Sequence, residues 1–180
     1  MKTKEPLEMR LEMVEMHKVF LEGLDHAMKK RQYIEASWLC YAIFEQRTDR
    51  IIQKHISKCP KLKRQPNEKP VGISTKLKCI QKLVKTKYFI YAQLDRELFK
   101  QIENWCKRRN TLIHGLVSLE HYKHFDKEFK KMAEDGAPLA HRIYDEAKKV
   151  RDWCNADNHF GQFPDTKCRC DHQCILIKEM

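Results

Sequence analysis

In "CKRRNTLIHGL", residues 106–116, a permanent cation (Arg109), an amide (Asn110) and a titratable ring (His114) interrupt a run whose Leu112, Ile113 and Leu116 suit a buried helix face. These three polar types suffice for one reaction, cleavage of RNA through its own 2′-hydroxyl. A proton must leave the 2′-oxygen and another must reach the departing 5′-oxygen. An imidazole ordinarily titrates near pH ~6.5 and can serve in either role. A guanidinium can hold the phosphate with two parallel hydrogen bonds and offset the charge that builds up on the pentacoordinate transition state. The amide can orient the imidazole or donate to a non-bridging oxygen. The nucleophile belongs to the substrate, so the expected chemistry needs no metal and no cofactor.

On an ideal helix Asn110 and His114 share a face, with Lys107 one turn earlier. Arg109 lies about 140° round from His114 at ~100° per residue. A long side chain, a break in the helix near Arg109, or a second copy of the chain could reunite them. The plainer alternative puts Arg109 in solvent, makes Asn110 a helix cap, and has His114-Gly115 end the helix.

The motif is surrounded by helical patterns. Leu7, Leu11, Val14, Leu21, Leu24 and Met28 form one stripe of a helix from about Pro6 to Lys30. A second helix is expected over Gln32–Ser57, with Ile34, Trp38, Ala42 and Phe44 among its apolar positions. "KCPKLKRQPNEKPVG" then reads as a loop. Ile73, Leu77, Ile80 and Val84 predict a short third helix capped by Ser74, with Lys78, Lys82 and Lys85 on its other face. A fourth helix is expected over Tyr88–Lys107. Two more, Ser118–Asp135 and Pro138–Ala156, are expected on either side of a stop at "DGAP". No segment alternates at period two. The expected fold is all-α, an antiparallel bundle of about five to six helices, with residues 1–156 as the helical domain and 157–180 as a Cys/His-rich tail.

The net charge is +11, and the stretch from Lys54 to Lys87 holds eleven basic residues against Glu68 alone. Such concentration of one sign points to an anionic partner such as nucleic acid, although a solvated lysine-rich surface has the same composition. Met1–Arg10 lacks the apolar core of a signal peptide, and no run reaches the ~18 apolar residues of a membrane span. Cys40, Cys79 and Cys106 fall in helical patterns as small buried hydrophobes, which fits a reducing cytoplasm. The tail motif "CRCDHQC" offers Cys168, Cys170, His172 and Cys174 as candidate ligands of a structural zinc, with Cys154 and His159 upstream. A redox-active tail or simple packing through Ile175–Ile177 would also account for it. Trp38, Trp105 and Trp153 are expected to pack in the core. His121, His124 and His141 are expected at the surface. Glu45, inside an apolar helix, needs a cation, and Arg109 or His114 is the expected partner.

"RNTLIHG" resembles the Arg-x(4–6)-His signature of the HEPN superfamily, in which a polar residue commonly follows the arginine. "LDHAMKKRQYIEASWLCYAIFEQRTDRII" is similar to the first helical hairpin of those domains, with Tyr33-x-Glu35-Ala36 at its turn and Glu45 as the acidic residue of the second helix. The likeness covers roughly residues 15–155. It implies a helical bundle forming a symmetric dimer whose arginines and histidines line one cleft. By position Arg109 and His114 match the catalytic pair and Asn110 the polar partner. Lys107, Arg108, Lys78, Lys82 and Lys85 would then bind RNA. Many members are metal-independent endoribonucleases of toxin–antitoxin, phage-defence or RNA-processing systems, so an antitoxin or defence partner is a further expectation. Some toxins of the superfamily carry a tyrosine two residues after the histidine; Leu116 stands there in this chain. Other members bind nucleotides or proteins without cleaving RNA. The rival expectation is accordingly a non-catalytic helical module that binds nucleic acid or a protein through its basic face.

Overall fold

A computed structural model describes residues 6–56, 72–85, 93–117 and 125–159. The described residues hold five helices: α1 (Pro6–Lys29), α2 (Tyr33–Ile56), α3 (Ile73–Leu83), α4 (Arg96–Val117) and α5 (Phe125–His159). No strand occurs among the described residues, so the fold is an all-α helical bundle. Among the described residues no helix is long and apolar enough to cross a membrane. The "KCPKLKRQPNEKPVG" loop, apart from Gly72, and the Cys168–Cys174 motif lie outside the described residues.

The described residues divide into two compact units, one drawn from Met1–Phe44 and Asn104–Arg142, the other from Glu45–Glu103 and Ile143–Met180. α5 ends at His159, and residues 160–180 of the expected tail lie outside the described residues.

In the first unit α1 and α2 form a tight hairpin. Arg31 closes it in the left-handed region at φ 58°. The N–H of Gln32 donates to the Ala27 carbonyl at 2.8 Å and that of Arg31 to the Met28 carbonyl at 3.1 Å. This pattern satisfies carbonyls that the end of α1 would otherwise leave without donors. The core of the unit is Leu24, Ala27, Ala36, Cys40, Ile43 and Phe44 from the hairpin, Trp105 and Cys106 from α4, and Phe129, Met132, Ala133 and Ala140 from α5, all buried.

α5 overturns the expected stop at "DGAP": it passes through Gly136 and Pro138 without ending. Pro138 has no N–H for the Glu134 carbonyl and is costly inside a helix. The buried positions nevertheless keep three- and four-residue spacing across it, from Phe129, Met132 and Ala133 to Leu139, Ala140 and Ile143, so one packed face carries the helix through. Gly136 is there for close approach. A Cβ at that position would lie 2.7 Å from Trp105 Nε1, 2.8 Å from Trp105 Cε2 and 3.0 Å from Cys40 Sγ. The indole has little room to retreat, because its Nε1–H donates to the Met132 carbonyl at 2.8 Å and its ring meets Phe44 edge-on at 5.1 Å. Gly136→Ala gains ~1 kcal/mol of helix propensity but incurs the ~1–3 kcal/mol typical of overpacking. The variant is expected to be less stable than the parent, read as a lower midpoint in urea.

In the second unit Ile51, Ile52, Ile73, Leu77, Ile80, Leu98, Phe99, Ile102, Ile143 and Val150 are buried together with Leu94 and Ala147. α3 starts after Gly72, whose side makes no capping bond, so Ser74 sits inside the first turn and is not the cap. α4 starts at Arg96, later than the expected Tyr88, because Asp95 caps it: Asp95 Oδ1 accepts from the N–H groups of Glu97 at 2.9 Å and Leu98 at 3.1 Å.

Candidate functional site

The motif lies wholly on α4, which runs unbroken through Arg109 and ends at Val117, past His114-Gly115. Neither a break near Arg109 nor a stop at His114 occurs. Arg109 is 7% exposed, whereas Asn110 and His114 are exposed. One copy of the chain therefore does not bring the guanidinium to the imidazole; the ~140° between them on a straight helix persists.

Two aromatic rings of α2 hold Arg109. Its Cζ lies 4.2 Å from the Trp38 ring centroid and 4.4 Å from that of Tyr41, residues three apart on one face of α2. Such contacts stabilise a desolvated cation by ~2 kcal/mol or more. They supply no hydrogen-bond acceptors, however. Nη1 reaches Asn110 Oδ1 at a long 3.4 Å. Nε and Nη2 are buried and have no acceptor among the described residues. Burial lowers the Arg109 pKa, partly opposed by Tyr41 and Cys106. A buried guanidinium with two unfilled donors is costly, and an oxyanion is the group that would fill them both.

Trp38 corrects the expectation that it packs in the core: it is 52% exposed. Trp105 is buried as expected. Trp38 also lines an open groove of about 930 Å³ between the first turns of α2 and α5, together with Tyr33, Ile34, Arg31, Lys127 and Lys130. Ile34, likewise expected to be interior, is half exposed. The contact of Arg109 with both rings joins α4 to α2 and has no signal in the sequence.

No family model, curated protein or solved structure matches this chain. The residues themselves must carry the reading.

The remaining expected residues distribute as follows. Lys107 is exposed. Arg108 is engaged by Asp135 at 2.8 Å, which leaves it partly neutralised for the expected RNA-binding role. Lys78, Lys82 and Lys85 are exposed on α3 and just beyond it, in the second unit. Glu45 pairs with neither Arg109 nor His114. Its cation is Lys76, at 3.6 Å, which also contacts Asp49 at 2.8 Å. Lys76 is itself buried, so the pair of carboxylates pays for the desolvated ammonium. His141 is at the surface, 2.9 Å from Asp25. Cys40 and Cys106 are buried and Cys79 half-buried; burial pushes the Cys40 thiol up to about 12, which suits a packing role. Among the described residues no cluster of three or more His, Cys, Asp or Glu could hold a metal. Cys168, Cys170, His172 and Cys174 lie beyond them.

Proposed function

We propose that this chain is a metal-independent endoribonuclease of the HEPN type, acting as a homodimer. The observation that carries the reading is Arg109: a guanidinium stacked on two rings, with two donors that have no acceptor among the described residues, on the helix that exposes His114 and Asn110. The motif resemblance supports the same assignment. In the dimer a two-fold axis beside α4 brings the arginines and histidines of both subunits into one cleft, which one chain alone cannot do. Trp38 and Ile34 give the first unit an exposed apolar edge beside the arginine.

One His114 imidazole accepts the proton of the 2′-hydroxyl as that oxygen attacks phosphorus. The P–O5′ bond breaks, and the protonated His114 of the partner subunit donates to the leaving 5′-oxygen. The products are a 2′,3′-cyclic phosphate and a 5′-hydroxyl. Arg109 binds the non-bridging oxygens and stabilises the added negative charge. Asn110 holds Nη1 in place. The groove beside Trp38 offers the flanking nucleotides a ring to stack on and three cations, Arg31, Lys127 and Lys130, set against the carboxylates of Glu35 and Asp126. Toxin, phage-defence or RNA-processing work in the cytoplasm, with an antitoxin or defence partner, fits such an activity.

RNA incubated with the purified chain in excess chelator is expected to yield fragments ending in 2′,3′-cyclic phosphate at the same rate as without chelator. The second reading, a non-catalytic module, is favoured by the exposed Lys78, Lys82 and Lys85 on one short helix. It predicts salt-sensitive RNA binding and no cyclic-phosphate product.

A further inference from the structure

A second buried arginine, far along α2 from the Trp38–Tyr41 pair, raises the same question as Arg109. Arg47 is 8% exposed. Its Cζ stacks 4.3 Å from the Tyr144 ring centroid, and its Nε is buried with no acceptor among the described residues. Arg47 and Arg50 lie three apart on α2, while Tyr144 and Arg151 lie seven apart on α5, so each pair shares one face of its helix. The Arg47–Tyr144 contact shows that these faces meet, inside the second unit.

Three cations thus lie on these facing helix sides, beside carboxylates that are already paired. Glu45 and Asp49 hold Lys76. Glu146 pairs with Lys149 and accepts from the Asp95 N–H. Arg151, half exposed, donates through both Nε and Nη2 to its neighbour Asp152 at 2.9 Å, so an incoming phosphate takes the place of that solvated carboxylate. Desolvation, with the charges of Arg50 and Arg151 adding to it and Tyr144 opposing, pulls Arg47 down to about 10.

We propose that Arg47, Arg50 and Arg151 form a binding site for a phosphate group, supplied by a nucleotide or by an RNA backbone. A tetrahedral oxyanion can accept from the Arg47 Nε–H at the base while the two outer guanidinium forks close on its remaining oxygens. Tyr144 supports Arg47 from its other side. This site is separate from the Arg109 site and does not depend on the nuclease reading.

The test is thermal melting of the full chain with two probes, ATP and a short 2′-O-methyl oligoribonucleotide that cannot be cleaved. The midpoint is expected to rise with at least one probe, in the parent and in Arg109→Met alike, since the latter removes the other phosphate-holding arginine. A response to ATP alone assigns the phosphate to a nucleotide, and a response to the oligonucleotide alone assigns it to a backbone. Arg47→Met and Arg151→Ala are each expected to weaken the apparent affinity about tenfold or more, the loss of one charge-assisted hydrogen bond. Arg151 is exposed, so its alanine variant tests the site even where Arg47→Met fails to fold. No midpoint rise with either probe, or a Arg151→Ala response equal to the parent's, overturns the proposal.

Discussion

Replacing His114 by alanine is expected to reduce RNA cleavage by at least ~10²–10⁴-fold, the range for losing general acid–base catalysis, while leaving the thermal midpoint where it was. The reduction falls at the top of that range because the substitution removes both proton-transfer groups of the proposed dimer at once. Stability is untouched because His114 is exposed near the end of α4, where alanine is the better helix former by a few tenths of a kcal/mol. RNA binding should survive, since Arg109 and the lysines are unchanged. A single-turnover rate, a melt and a binding curve on the same preparation separate the three quantities. Should the variant cleave as fast as the parent, the proton-transfer role is gone.

Arg109→Met is expected to lower cleavage by ~10²–10³-fold, the loss of an oxyanion-stabilising donor set, yet to leave the chain as stable as the parent or more so. The two effects have one cause. As it stands, the guanidinium is desolvated and has two donors without acceptors, a cost that the Trp38 and Tyr41 rings only partly offset. Methionine fills the same slot between the rings with no charge to desolvate, and exchanging buried ionic groups for apolar ones of similar volume is often neutral or stabilising. Arg109→Ala would also lose activity but leaves a gap between the rings, so its melt falls. Arg109→Lys keeps a charge but loses the planar fork and the stacking, and is expected to rescue little activity. A guanidinium kept for packing alone would give the reverse pattern, with stability lost and activity, if any, intact. Retention of a strained, costly group where activity needs it is the usual trade between stability and function.

The helices were readable wherever local signals agree with packing. The stripe from Leu7 to Met28 and the apolar positions of α2 locate both elements of the first hairpin to within a residue or two. The turn between them was not marked by the glycine that its left-handed residue favours; Arg31 occupies it. The region around Gly136 and Pro138 misled for the opposite reason. Two residues that usually end helices occur close together, and only the Trp105 indole, brought in from another helix, explains why glycine is needed in mid-helix. The site divides in the same way. That Arg109, Asn110 and His114 share one helix was legible from spacing. That Arg109 turns inward was not, because its aromatic partners come from α2, some seventy residues earlier. The cation for Glu45 comes not from the motif but from α3, through Lys76. Long-range pairing of this kind leaves no periodic trace in a sequence.

The claim on which the account rests is that one phosphate is held by Arg109 while a histidine from another copy moves its protons. A crystal structure of the chain with a 2′-O-methyl oligoribonucleotide tests it most directly. The account predicts two copies about a two-fold axis, Arg109 donating to a phosphate oxygen between the Trp38 and Tyr41 rings, and His114 of the partner subunit within about 3 Å of the 2′- or 5′-oxygen of that linkage. Arg109 occupied by a protein carboxylate, with both His114 rings in open solvent and the RNA bound elsewhere, would contradict it.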